Sequence, residues 1–247
     1  MPTRFFAYAR FLFLVSIFFA SLNAHGQQVK VKCYGINQTI PAFKADTNFD
    51  LTMDNQNILI KKKILTPINQ SDAMVEIRMA TYPSETMGFS MCTIKFYKDK
   101  MQICKYETGV TSINNPNPTK YKGFKEIGPD APSAKLTHFV KTTDLTANYK
   151  QYDWNTLFKS LIDNHLFDMV SGQEFINKVI ATTNDNNYPL GEWVTTIQLK
   201  VGGRYRNLRY PGTYVFSSYQ DNNLIKSENN FINLLNGIFK NPIIKTP

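Results

Sequence analysis

The first regular pattern in the chain is an alternation. Val29, Val31 and Cys33 are apolar and interleave with Lys30, Lys32 and Tyr34, which is the period of a half-buried strand. Residues 57–65 (NILIKKKIL) and 74–81 (MVEIRMAT) read as two more strands. The clearest hairpin joins 91–97 to 101–107. Cys92, Ile94 and Phe96 point one way, Thr93, Lys95 and Tyr97 the other, and Lys98, Asp99 and Lys100 make the turn. Residues 108–135 break the pattern with two clusters of turn chemistry, NNPNP and GPDAP, and read as a long loop.

Helical spacing takes over near residue 153. Trp154, Leu157, Phe158, Leu161, Ile162 and His165 share one face, with Asp153 as N-cap. That stripe is expected to pack on Trp193, Ile197 and Leu199. Ser171-Gly172-Gln173-Glu174 has the form of a capping box ahead of a second short helix. Residues 193–201 alternate strictly, Gly202-Gly203 is a hairpin turn, and 204–210 return, with a further strand expected over 214–219. A last helix is expected over 227–240, with Ser227 as N-cap and Glu228 in its first turn. Strands and helices are segregated rather than alternating. The fold class is therefore α+β, a mostly antiparallel sheet with two or three helices.

The first 26 positions carry a different signal. Arg4 and Arg10 precede an apolar run over 11–20, and Ala24 and Gly26 supply small residues for a cut before Gln27. As a helix, 11–22 spans only about 18 Å, well short of a bilayer core of about 30 Å. The expectation is a cleaved signal peptide over 1–26 and a secreted or periplasmic protein with no membrane span. Residues 27–247 then form a single α+β domain, or two subdomains meeting near 108–150. Loss of Arg4 and Arg10 lowers the formal charge from +9 to +7. A pI near 9.3 invites nucleic acid, but export and the scattering of the lysines argue against that partner. Lysines at strand edges and turns guard against edge pairing.

The catalytic inventory is thin. No G-x-S-x-G elbow, H-E-x-x-H helix or phosphate loop occurs, and no cysteine or histidine spacing fits a metal site. No catalytic residue, metal or cofactor is assigned. Pairing of two among Cys33, Cys92 and Cys104 and three reduced thiols both stay open. A three-residue turn would set Cys104 diagonal to Cys92, about 7–8 Å away and near the limit for a disulfide. Asn37 and Asn69 begin glycosylation sequons that matter only in eukaryotic export.

One patch mixes cations and aromatics. Arg204, Arg206 and Tyr210 fall on one strand face, Tyr205 and Arg209 on the other, and Tyr214 follows. Arginine forks and tyrosines suit anionic, glycan or protein surfaces. The expected function is therefore a non-enzymatic exported protein that binds a protein, a glycan or another anionic partner through these residues. The alternatives are a hydrolase using Asp163 or Asp168 near His165, and a structural envelope component.

Overall fold

The computed structural model describes residues 27–46, 57–81, 88–112, 121–129, 135–183, 193–211 and 221–240. The expected signal peptide, the strand over 214–219 and Tyr214 lie outside the described residues. Within them the fold is α+β, with two antiparallel sheets. Strands β1 (Gln27–Cys33) and β2 (Ile36–Phe43) pair with each other. The larger sheet holds β3 (Val75–Thr81), β4 (Ser90–Phe96), β5 (Met101–Ser112), β6 (Lys125–Gly128), β7 (Leu136–Asp144), β8 (Trp193–Val201) and β9 (Arg204–Pro211). Their order is β6-β7-β5-β4-β3-β8-β9. The pairing of β3 with β8 joins the early strands to the late hairpin. The helices are α1 (Asn57–Lys61), α2 (Trp154–Asp163), α3 (Gly172–Thr183) and α4 (Asn223–Lys240).

The period of two sorts the large sheet into two faces. One face carries Val75, Ile77, Met79, Cys92, Ile94, Phe96, Ile197, Leu199, Leu208 and Tyr210, all buried in one core with α2, α3, α4 and the small sheet. The stripe of α2 is buried there as its spacing predicts, and Asp153 caps it by accepting from Thr156 N at 3.0 Å. Its nearest partners are β2 and α4, and the Trp154 ring meets Phe96 edge-on at 5.1 Å. The other face is polar along β3 and β8, with an apolar cluster that includes Met91, Cys104 and Tyr106 beside it. Glu76 and Arg78 on β3 have fully buried side chains and pair Nε to Oε1 at 2.6 Å. Arg78 Nη2 donates to Thr66 O at 2.6 Å, and Lys200 Nζ donates to Ser71 O. Charged side chains thus hold the 66–71 segment against the sheet. The outer strand β9 is capped as well: Asp46 N donates to Tyr205 O at 3.0 Å, and Asp46 Oδ2 accepts from Asn207 N at 2.5 Å.

Several expectations need correcting. Residues 57–61 form a helical turn instead of a strand. Adjacent Ile58 and Leu59 are both buried, and the turn packs them into a cluster with Leu65, Met91 and Tyr106. Lys63 then ends the turn at φ 56°, with Lys63 N donating to Ile60 O and Ile64 N to Leu59 O. The expected long loop over 108–135 is partly sheet, because β5 continues to Ser112 and β6 pairs with β7. The first hairpin turn is one residue longer than expected, so Thr93 faces Cys104. Cys92 and Cys104 therefore point to opposite faces, and all three cysteines are free and buried. Burial pushes the Cys33 thiol up to about 11 and Cys92 to about 12.

Helix α4 starts earlier than expected. Asn222, not Ser227, caps it, its Oδ1 accepting from Leu224 N at 2.9 Å and Ile225 N at 3.4 Å. This moves Glu228 out of the first turn and onto the core stripe, between Ile225 and Phe231. Both Glu228 carboxyl oxygens are buried without a hydrogen-bond partner, and desolvation pushes its pKa up to about 8.

Candidate functional site

The sheet divides the cation-aromatic patch between its faces. Arg206 is 2% exposed and faces the core, where its Nη2 donates to Met169 O and its Nη1 to Leu166 O at 3.5 Å. It ties down the turn between α2 and α3. Tyr210 is fully buried, donates to Val170 O at 3.3 Å and meets Phe175 edge-on at 5.2 Å. Arg204, Tyr205 and Arg209 are half-buried on β9, and Tyr205 Oη donates to Asn69 O at 3.4 Å.

His165 lies where a glycine is the usual choice. Helix α2 ends at Asp163, so His165 is not on its apolar face as the spacing predicted. His165 N donates to Ile162 O at 2.9 Å and Leu166 N to Leu161 O at 3.1 Å, a Schellman closure with His165 at φ 63°. Leu161 and Leu166 are both fully buried and supply the hydrophobic contact of that closure. The exposed imidazole Nδ1 lies 3.3 Å from both Asp168 oxygens. It borders a cleft of about 320 Å³ with Asp163 and an apolar wall of Ile40, Pro41 and Phe167. A left-handed residue with a Cβ costs about 1–2 kcal/mol, part of which glycine forfeits through its freer unfolded state. His165→Gly is therefore expected to raise the unfolding free energy by about 0.5–1 kcal/mol, read from urea melts. A loss of stability would mean that the Asp168 contact outweighs the backbone strain.

A larger cleft, of about 610 Å³, lies between α2 and α4. Its floor is Tyr149 and Ile238, joined by a hydrogen bond from Tyr149 Oη to Ile238 O. The α2 wall supplies Ser160 and Asn164, and the α4 wall Asn230, Asn233, Leu234 and Gly237. Asn230, Asn233, Leu234 and Gly237 recur at helical spacing, so one face of α4 meets the opening. Asn230 Nδ2 donates to Asn164 Oδ1 at 2.9 Å, and Asn164 Nδ2 donates to Ser160 O at 2.8 Å. This chain bridges the two walls and fixes which way the amides point. Tyr152 completes the rim, its ring 4.7 Å from Trp154 and 5.7 Å from Tyr149. Burial raises the pKa of both tyrosines, Tyr149 to about 12, so both phenols are neutral donors at ordinary pH.

Gly237 is the unexpected member. It has no positive φ, and a Cβ built on it would meet nothing within 4 Å. Neither backbone geometry nor packing calls for glycine there, although glycine in a helix is about 0.5–1 kcal/mol less favourable than alanine. Its missing side chain leaves the cleft open.

Sequence reasoning did not find this cleft. Asn164 and Asn230 are far apart in the chain, and each alone reads as a solvated helix position. Among the described residues, no three His, Cys, Asp or Glu side chains converge as a metal site, and no helix is long and apolar enough to cross a membrane. Comparison with protein-family models, curated proteins and solved structures finds no match to this chain.

Proposed function

We propose that the protein is exported behind a cleaved leader over 1–26 and acts as a non-enzymatic binding protein, with the α2–α4 cleft as its recognition site. The observation that carries this reading is the Gly237 opening in a cleft whose polar groups the fold leaves partly unused. Its volume lies within the range of about 300–1,000 Å³ typical of ligand sites. The apolar floor and rigid aromatic rim supply contact area, and the amides supply orientation. The cation-aromatic residues Arg204, Tyr205 and Arg209 remain a second contact region on β9 for an anionic or protein partner.

A comparison of the purified protein with Gly237→Leu tests this reading. A Cβ at this position meets nothing within 4 Å, and leucine is a better helix former than glycine. Immobilised wild-type protein should retain material from a native envelope fraction that the variant does not retain. Equal retention by both would place binding elsewhere. The intact mass of the native protein should match a chain beginning at Gln27, and recovery of Met1 in membranes would overturn cleavage.

The alternative of hydrolysis draws on the His165–Asp168 pair beside the smaller cleft. In that reading Asp168 orients the imidazole and His165 takes a proton from water. Turnover of a nitrophenyl ester that disappears in His165→Gln would favour it over binding alone.

A further inference from the structure

We propose that the α2–α4 cleft takes a neutral, hydroxyl-rich ligand, a saccharide without acidic groups. The inference rests on the cleft being the binding site and adds the class of its ligand. Charge is the first argument. The chain carries a formal +9, yet among the described residues no Lys, Arg, Asp or Glu lines this cleft. An ionic ligand would lose water on entry and meet no counter-charge.

The hydrogen-bonding inventory is the second. The Asn230–Asn164–Ser160 chain uses one donor on each amide and the Asn164 oxygen, which leaves Asn230 Oδ1 as an acceptor and one N–H on each amide as a donor. The Asn233 amide adds a donor pair and an acceptor on the same face of α4. Neighbouring sugar hydroxyls each donate and accept, so they match side chains that carry both functions. A purely apolar ligand would leave these groups dry and unpaired. The rings are the third argument. Tyr152 is held against Trp154 and Tyr149, so an amphipathic surface for the C–H face of a sugar ring is already ordered. An extended peptide fits less well. Strand addition needs free main-chain groups, and both walls of the cleft are helices.

Titration calorimetry on the purified protein tests the ligand class. The neutral probes are cellotetraose, maltotetraose and tetra-N-acetylchitotetraose. Tetragalacturonate and a heparin tetrasaccharide are the acidic arm, and tetra-alanine is the peptide arm. At least one neutral probe should bind saturably, with less than about a twofold change in affinity between about 0.05 M and about 0.5 M salt. Asn233→Ala should weaken it by about tenfold or more, the scale of one lost polar contact, and Gly237→Leu by at least as much by occupying the space, neither lowering the melting temperature. Preference for an acidic probe with salt-sensitive affinity, binding of the peptide alone, or no binding of any neutral probe would overturn the proposal. If no saccharide binds while Gly237→Leu still abolishes retention of envelope material, the ligand class falls and the cleft stands. If a neutral probe binds wild type and Gly237→Leu equally, the cleft itself is not the site.

Discussion

Replacing Glu228 with glutamine is expected to leave stability almost unchanged near about pH 4 and to raise it by about 3–5 kcal/mol near about pH 9. The sign follows from the direction of the shift. Desolvation raises the carboxyl from 4.5 to about 8 in the folded protein. Below the unfolded value the group is protonated in both states and has no effect. Between the two values the unfolded chain ionises while the folded one stays neutral, so stability falls by about 1.4 kcal/mol per pH unit. Above the folded value the loss is complete, and a buried carboxylate without a partner persists. Glutamine has no proton to lose and removes the slope, while keeping a buried polar group of similar size. Urea melts of both proteins across this pH range measure the difference. Parallel stability curves would show that Glu228 is solvated or paired in solution.

The second large effect is expected in the buried ion pair of the central sheet. Arg78→Met should destabilise the protein by about 3–5 kcal/mol, because it removes the only hydrogen-bonded cation that the described residues give the buried Glu76 carboxylate. Lys95 is the weaker partner, its ammonium 3.9 Å from Glu76 Oε1 whereas the guanidinium donates at 2.6 Å. The same substitution frees Thr66 O, to which Arg78 Nη2 donates. The double variant Arg78→Met, Glu76→Leu should recover most of the loss, because a well-packed apolar pair is often as stable as a buried ionic one. The difference between the double variant and the sum of the singles gives the coupling. Additive effects would mean that the pair does not act as a unit.

Local pattern carried the fold wherever one face of an element was apolar and its ends were marked. The β8–β9 hairpin and helix α2 are such cases, with Gly202-Gly203 and Asp153 as their marks. Errors arose where a polar residue stood on a buried stripe. Glu228 reads as a first-turn acid when α4 is started at Ser227, and only the Asn222 cap reveals it as a core residue. The alternation of β9 puts Arg206 and Tyr210 on one strand face. That this face is the core one depends on three helices covering it, and no local spacing reports that. A single residue in the first hairpin turn was enough to move Cys104 to the far side of the sheet from Cys92, because strand register has a period of two. The candidate cleft was the least legible part. It depends on α2 and α4 meeting through Asn164 and Asn230, and on a glycine whose meaning is the space beside it.

Asp46 bears on how the protein behaves at high concentration. By taking Tyr205 O and Asn207 N it occupies main-chain groups that a second copy of the molecule would need in order to add a strand to β9. A short stretch of chain after the small sheet thus works as a polymerisation guard.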